Sequence, residues 1–170
     1  MLSQKVKDLL VYQVNQEFYS AYLYLDFHDF YKDAGLDGCA NWYLIQAQEE
    51  RDHAMLFMQY LQQQGERVKL DAIAMPDKEL KEFIDPLKAG AEHERVVTGL
   101  INNIYAEAYK ENDFRTMQFL DWFVKEQAEE EDNADDMVKK FELFGDDSKS
   151  LYMLDQELAG RVYSAPSLVL

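Results

Sequence analysis

The chain has 170 residues, 48% of them hydrophobic, with 7 Gly and 3 Pro, which is the profile of one globular domain (1–170) built from long elements rather than of a disordered chain. Its 33 acidic residues against 17 Lys plus Arg give a formal charge of −16. That balance excludes nucleic acid and anionic membrane as partners, since both need a basic face, and it suits cations. A single cysteine, Cys39, rules out an internal disulfide framework and a Cys₄ metal site. The first residues, Met1-Leu2-Ser3-Gln4-Lys5, lack the pattern of a secretion signal, and no apolar run approaches the roughly 18 residues of a membrane span, so a cytoplasmic protein is expected.

Ser3 is a suitable N-cap for a first helix, α1, over about 4–32, with Gly35 as its stop. Val6, Leu10, Val14, Phe18, Ala21, Tyr24 and Leu25 recur at helical spacing, and Glu17 falls on their line. Asp37 is expected to cap α2, about 38–64, closed by Gly65. Its apolar stripe of Tyr43, Ala47, Ala54, Phe57 and Leu61 carries Glu50, and His53 lies three residues on, beside it on the same face. The short connection makes α1 and α2 antiparallel.

Residues 66–84 contain Pro76 and no sustained period. Extended, such a segment spans about 60 Å, more than the ~40 Å of a 27-residue helix. It is therefore long enough to run the whole length of a bundle and leave α2 and α3 parallel. Asp85-Pro86 reads as the cap and first residue of α3, about 86–111. Leu87, Ala91, Val97, Thr98, Ile101 and Tyr105 form its core face, and Glu94 lies among them. Asp113 caps α4, about 114–144, whose line of Phe119, Phe123, Met137, Phe141 and Phe144 includes Gln127 and Glu130 and ends at Gly145. Ser148 is expected to cap a short α5, about 148–159, carrying Leu151, Leu154 and Leu158. The tail 161–170 has no role readable from its residues: covering an apolar seam, docking a partner and disorder all remain open.

Four helices thus each place an acid on a core stripe, at heights that coincide in an up-down bundle with a crossover. A buried carboxylate needs a counter-charge, and no comparable set of Lys or Arg lies on these stripes, Arg51 and Arg95 pointing elsewhere by spacing. A dinuclear metal site is the economical answer. Oxygen-rich ligands with one imidazole suit iron or manganese better than copper, and bridging carboxylates at two close metals suit activation of O₂ or peroxide.

The set Glu17, Glu50-x-x-His53, Glu94 and Glu126-Gln127-x-x-Glu130 resembles the non-haem ferritins of bacteria and archaea, and the likeness runs over about 160 residues, including the crossover and α5. The resemblance implies an all-α, ferritin-like four-helix bundle with a fifth C-terminal helix, assembled as a homo-oligomeric cage of 24 subunits that oxidises Fe²⁺ with O₂ or H₂O₂ and stores the ferric product. It implies one iron held by Glu17, Glu50 and His53 and a second by Glu50, Glu94 and Glu130, with Gln127 beside the second and Tyr24 close by. It further implies a third iron site using Glu49, Glu126 and Glu129 with Glu130 shared, and α5 lining a four-fold axis. Haem is not expected: Asp52 stands where the haem-carrying relatives have their methionine, and Glu130 is followed three residues on by Asn133, so α4 has no second Glu-x-x-His. The competing reading is a dimetal oxidase or peroxidase of smaller assembly without a mineral store. His28 and His93 are expected not to ligate, Trp122, Met55 and Met58 to pack, and Glu111, Asp113 and Asp121 to be weak candidates for a pore.

Overall fold

The computed structural model describes residues 2–170. The elements are α1 (Gln4–Asp33), α2 (Asp37–Gln63), α3 (Asp85–Lys110), α4 (Phe114–Phe144) and α5 (Ser148–Leu158), with no strand among the described residues. This is the expected all-α bundle of four long helices with a short fifth.

Cross-helix contacts fix the topology. His28 on α1 meets Ala40 on α2, and Lys7 pairs with Glu66 just past the end of α2, so the two run antiparallel. Lys5 pairs with Glu107 and Ser20 bonds His93, so α1 is also antiparallel to α3. Across the bundle Gln46 meets Glu130 and Tyr60 meets Thr116, making α2 and α4 antiparallel. Lys88–Glu142 and Tyr105–Asp121 do the same for α3 and α4. Hence α2 and α3 are parallel, and the chain between them must travel the full length. It does so along the outside of α1, touching it near Lys7 through Glu66, at Asn15 through the Ala72 carbonyl, and at Tyr31 through the Phe83 carbonyl.

Helix ends follow local chemistry, with three departures from the sequence expectation. Ser3 and Asp113 cap α1 and α4 by accepting from Val6 and Thr116 N–H. Gly35 and Gly65 sit at φ +77 and +80, the left-handed conformation that ends α1 and α2 and that a Cβ disfavours. Asn112, at φ 56, does the same work after α3. Asp37, however, is the first helical residue of α2 and does not cap it; its carboxylate pairs with Lys32 instead. The cap comes from far along the chain: Asp155 on α5 is buried and accepts from Gly38 and Cys39 N–H at 2.8 and 2.9 Å. Asp85 lies inside α3, accepting from Lys81 and Glu82 N–H ahead of it, which places Pro86 in the first turn. Asp147 rather than Ser148 caps α5, accepting from Ser150 N–H.

The apolar core lies in two halves. One gathers Val6, Leu10, Val14, Phe57, Leu61, Ile101, Phe119 and Phe123; the other gathers Leu23, Phe27, Tyr31, Tyr43, Leu87, Met137, Phe141 and Leu158. Burying each such large side chain contributes roughly 1.5–3 kcal/mol. Leu25 and Phe144, expected on core faces, are 42% and 48% exposed. Each lies at the edge of its stripe, where a helix's 3.6-residue period swings the side chain past the neighbouring helix. Between the two halves lies a layer of polar side chains.

Candidate metal centre

Each of the four long helices contributes to that layer: Gln13, Glu17 and Ser20 from α1, Gln46, Glu50 and His53 from α2, His93 and Glu94 from α3, Gln127 and Glu130 from α4, all buried. No lysine or arginine is buried among the described residues. Arg51 turns outward to Asp52 and Arg95 to Asp135. The carboxylates therefore have no lysine or arginine as counter-charge, and His53 is the one imidazole beside them.

At the centre, Glu17, Glu50 and His53 each present a ligand atom within 4.8 Å of the others, with a His53 Nδ1 to Glu50 Oε2 separation of 3.5 Å. Glu17 Oε2 and Glu50 Oε2 are buried and make no hydrogen bond. Such atoms are expensive in a protein interior unless a cation neutralises them. Burial, then the charge of Glu50, pushes the Glu17 carboxyl well above the ordinary carboxylate range. Burial, then Glu94 and Glu130, does the same to Glu50. Glu94 is pushed up to about 7 by burial and by Glu130. The carboxyls of three helices thus converge around Glu50.

Their free orientations are few, because amide and phenol donors hold them. Gln13 Nε2 donates to Glu17 Oε1 at 2.9 Å, Gln46 Nε2 to Glu130 Oε2 at 2.9 Å, and Gln127 Nε2 to Glu94 Oε2 at 3.1 Å. The Tyr24 hydroxyl donates to Glu94 Oε1, and burial and Glu94 raise the phenol well above its usual range. Sequence reasoning singled out Gln127 and Tyr24 but missed Gln13 and Gln46. The signal was present: a glutamine stands four residues before Glu17 and before Glu50, one turn down the same stripe. Only the packing shows that Gln46 reaches across to α4 instead of to Glu50.

The remaining histidines do not join. His28 Nδ1 lies 2.8 Å from the Ala40 carbonyl, and His93 Nε2 lies 2.7 Å from Ser20 Oγ with its ring against Tyr19 and Tyr24. His93 is buried, and burial lowers its affinity for a proton, to about 4. Trp122 packs its edge against His53, centroids 5.6 Å apart. Met55 is 48% exposed, while Met58 packs partly against the core. Asp113 and Asp121 are occupied as a helix cap and as acceptor for Tyr105.

Glu49, Glu126 and Glu129 lie on the outer flank of the layer. Glu49 and Glu126 are partly buried and Glu129 is exposed. They do not close into a compact ligand group in this conformation; Glu49 is bonded to Arg161 at 2.8 Å. Burial and Glu130 nonetheless push Glu49 up to about 7 against the pull of Arg161.

Fold and site together define a carboxylate-lined four-helix bundle with one imidazole at its centre. A sequence profile of the ferritin-like domain matches residues 7–144, and the chain belongs to that family. Among curated proteins it is similar to the bacterial non-heme ferritin of Staphylococcus saprophyticus, 36% identical over 163 residues covering 96% of this chain and 98% of that one. It is also similar to the bacterial non-heme ferritin of Campylobacter jejuni, 35% identical over 92% of this chain and 93% of that one. Among solved structures, an engineered closed form of the Archaeoglobus fulgidus ferritin superposes with a TM-score of 0.94 at 40% identity, covering 96% of this chain and all of that one. The open-pore ferritin of the same archaeon gives 0.93 at 41%, over 95% of this chain and all of that one.

Proposed function

We propose that this protein oxidises Fe²⁺ at a dimetal centre within each chain and stores the ferric product inside a homo-oligomeric cage. The observation that carries the reading is the pair of buried, unbonded carboxylate oxygens of Glu17 and Glu50 beside His53, in a layer without a buried lysine or arginine. Carboxylate and imidazole donors in this mixture suit Fe²⁺ as substrate. One Fe²⁺ takes Glu17, Glu50 and His53; a second takes Glu94, Glu130 and the shared Glu50, with Gln127 beside it. Gln13, Gln46 and Gln127 each donate to one oxygen of Glu17, Glu130 and Glu94, which orients those carboxylates; the second oxygen of Glu17 is left unbonded, while that of Glu94 accepts from Tyr24. Tyr24, bonded to Glu94, is placed to act on the second iron's ligand. Two Fe²⁺ give one electron each, and the pair of electrons with two protons from solvent reduces O₂ to H₂O₂ or H₂O₂ to two waters; the two ferric ions then leave for the store. Glu49, Glu126 and Glu129, with Glu130, form the flank on which a third iron binds. Assembly as a cage of 24 rests on the resemblance to ferritins over nearly the whole chain.

Under air, added Fe²⁺ is expected to be consumed within seconds, with absorbance growing in the near ultraviolet. Glu50→Ala or His53→Ala should slow that phase at least tenfold, since each removes a ligand from the centre. Equal rates in wild type and both variants would refute the assignment.

A further inference from the structure

After Gly160 the chain does not leave the bundle. Asn41 Nδ2 bonds the Leu158 and Arg161 carbonyls at 3.4 and 3.0 Å, pinning the backbone to the start of α2. The Arg161 guanidinium lies 4.0 Å over the Trp42 ring, donates to the Trp42 carbonyl at 3.3 Å and to Glu49 Oε2 at 2.8 Å. One turn further along α2, the Tyr163 hydroxyl donates to Asp52. The segment then crosses to α4, where Trp122 Nε1 donates to Ser167 Oγ at 2.9 Å, and Leu168 and Leu170 pack on the core half containing Phe57 and Phe123. Residues 161–168 thus form a strap across the α2–α4 face, and its anchors bracket the dimetal centre. Asp52 adjoins His53 in sequence, and the Trp122 ring packs on the His53 ring.

The charges on this flank are unequal. Neither Glu126 nor Glu129 makes an ion pair among the described residues, whereas Glu49 has a half-buried guanidinium on one of its oxygens. The side chains of Arg161 and Glu49 are 20% and 17% exposed, so water screens the pair only in part. A metal ion on Glu49 would meet that positive charge at contact distance.

We propose that Arg161 is the resident counter-cation of Glu49 and that the 161–168 strap gates the flank, so that a third metal ion binds there only by displacing the guanidinium. The proposal rests on the reading of Glu17, Glu50 and His53 as a cation-binding centre. It makes the strap, through Arg161, the determinant of whether a chain holds two metal ions or three. The aromatic face of Trp42 gives the displaced guanidinium a place to stay, since stacking on the ring does not depend on Glu49.

The test counts a redox-inert cation on the full assembled protein, so it does not depend on turnover. Zn²⁺ titrations followed by calorimetry and equilibrium dialysis are expected to give two tight ions per chain in wild type. Arg161→Gln should add a third, bound at least tenfold more tightly than in wild type, while Arg161→Lys, which keeps the charge, should stay near wild type. The double variant Glu49→Gln/Arg161→Gln should return to two, a result that general loosening of the tail would not produce. Tyr163→Phe leaves both charges in place and drops one anchor; it should tighten the third ion two- to threefold and speed hydrogen exchange across 161–168. If Arg161→Gln and Tyr163→Phe both bind the third Zn²⁺ as wild type does, the gate is overturned. If wild type binds no Zn²⁺ and Glu50→Ala changes nothing, the centre itself has been misread, which is a distinguishable outcome.

Discussion

Burial and the charge of Glu130 raise the Glu94 carboxyl from an ordinary 4.5 to about 7, so the fold holds its proton more tightly than the unfolded chain does. Its folded value lies above its unfolded one. It therefore stabilises the metal-free fold fully below about pH 4.5, and that contribution is lost as pH rises through about 7. Metal uptake must expel the same proton. Calorimetric Zn²⁺ titrations in buffers of different ionisation heat are therefore expected to show more protons released per ion at pH 6 than at pH 8. The apparent affinity should climb with pH and flatten above about 7. An affinity independent of pH between 6 and 7 would mean that these carboxyls are already ionised. Glu17 and Glu50 were legible from sequence because an acid on an apolar stripe is conspicuous. Gln13 and Gln46 stand one turn before Glu17 and Glu50, a spacing the sequence shows, but what each amide bonds was not legible until its partner's position was known.

Helix α2, which carries Glu50 and His53, is held at its N-terminus by Asp155 of α5 rather than by its own Asp37. Losing an N-cap costs about 1–2 kcal/mol, so Asp155→Ala should lower the thermal midpoint by a few degrees. Gly38 is where α5 approaches: a Cβ there would fall 1.7 Å from the Asp155 carbonyl oxygen, a backbone atom that cannot step aside. Gly38→Ala should therefore push α5 away. Hydrogen exchange would report it as loss of protection over 148–158 with α3 and α4 unchanged. Protection of α5 equal to wild type would show that the contact is dispensable. The approximate lengths of the helices follow from apolar periodicity and punctuation by glycine and proline, whereas the left-handed Asn112 that ends α3 was recognised only in the structure. The Asp37, Asp85 and Ser148 caps were misassigned because the residue types near a helix start do not fix where the backbone enters the helix, and because the α2 donors are met by Asp155 from α5, far along the chain.

Among the described residues no helix is long and apolar enough to cross a membrane. Yet Tyr12, Tyr22 and Leu25 on α1, Leu70, Ile73 and Met75 on the crossover, and Tyr152 and Met153 on α5 stay exposed. Apolar side chains left out on several separate elements are what subunit contacts cover. These faces point to a homo-oligomer; the number 24 comes only from the resemblance to ferritins, and the proposed cage predicts a species roughly 24 times the 20.0 kDa of the chain in native mass spectrometry. A dimer as the largest species would favour the smaller dimetal oxidase and overturn storage in a cage.

Four acids on four apolar stripes, one imidazole three residues from the second acid, and a segment long enough to span the bundle were all encoded locally. Periodicity within one helix is enough to say which face a side chain occupies, and therefore that these acids share a core. Partners across helices obey no such period. That Gln46 reaches Glu130, that Asp155 caps α2 and that Arg161 holds Glu49 depend on how helices far apart in sequence come to rest against each other. The tail shows the difference most sharply. Its ten residues carry no pattern, and their place over the flank beside His53 follows from Asn41, Trp42, Asp52 and Trp122, whose partners in the tail lie 45 to 120 residues further along the chain.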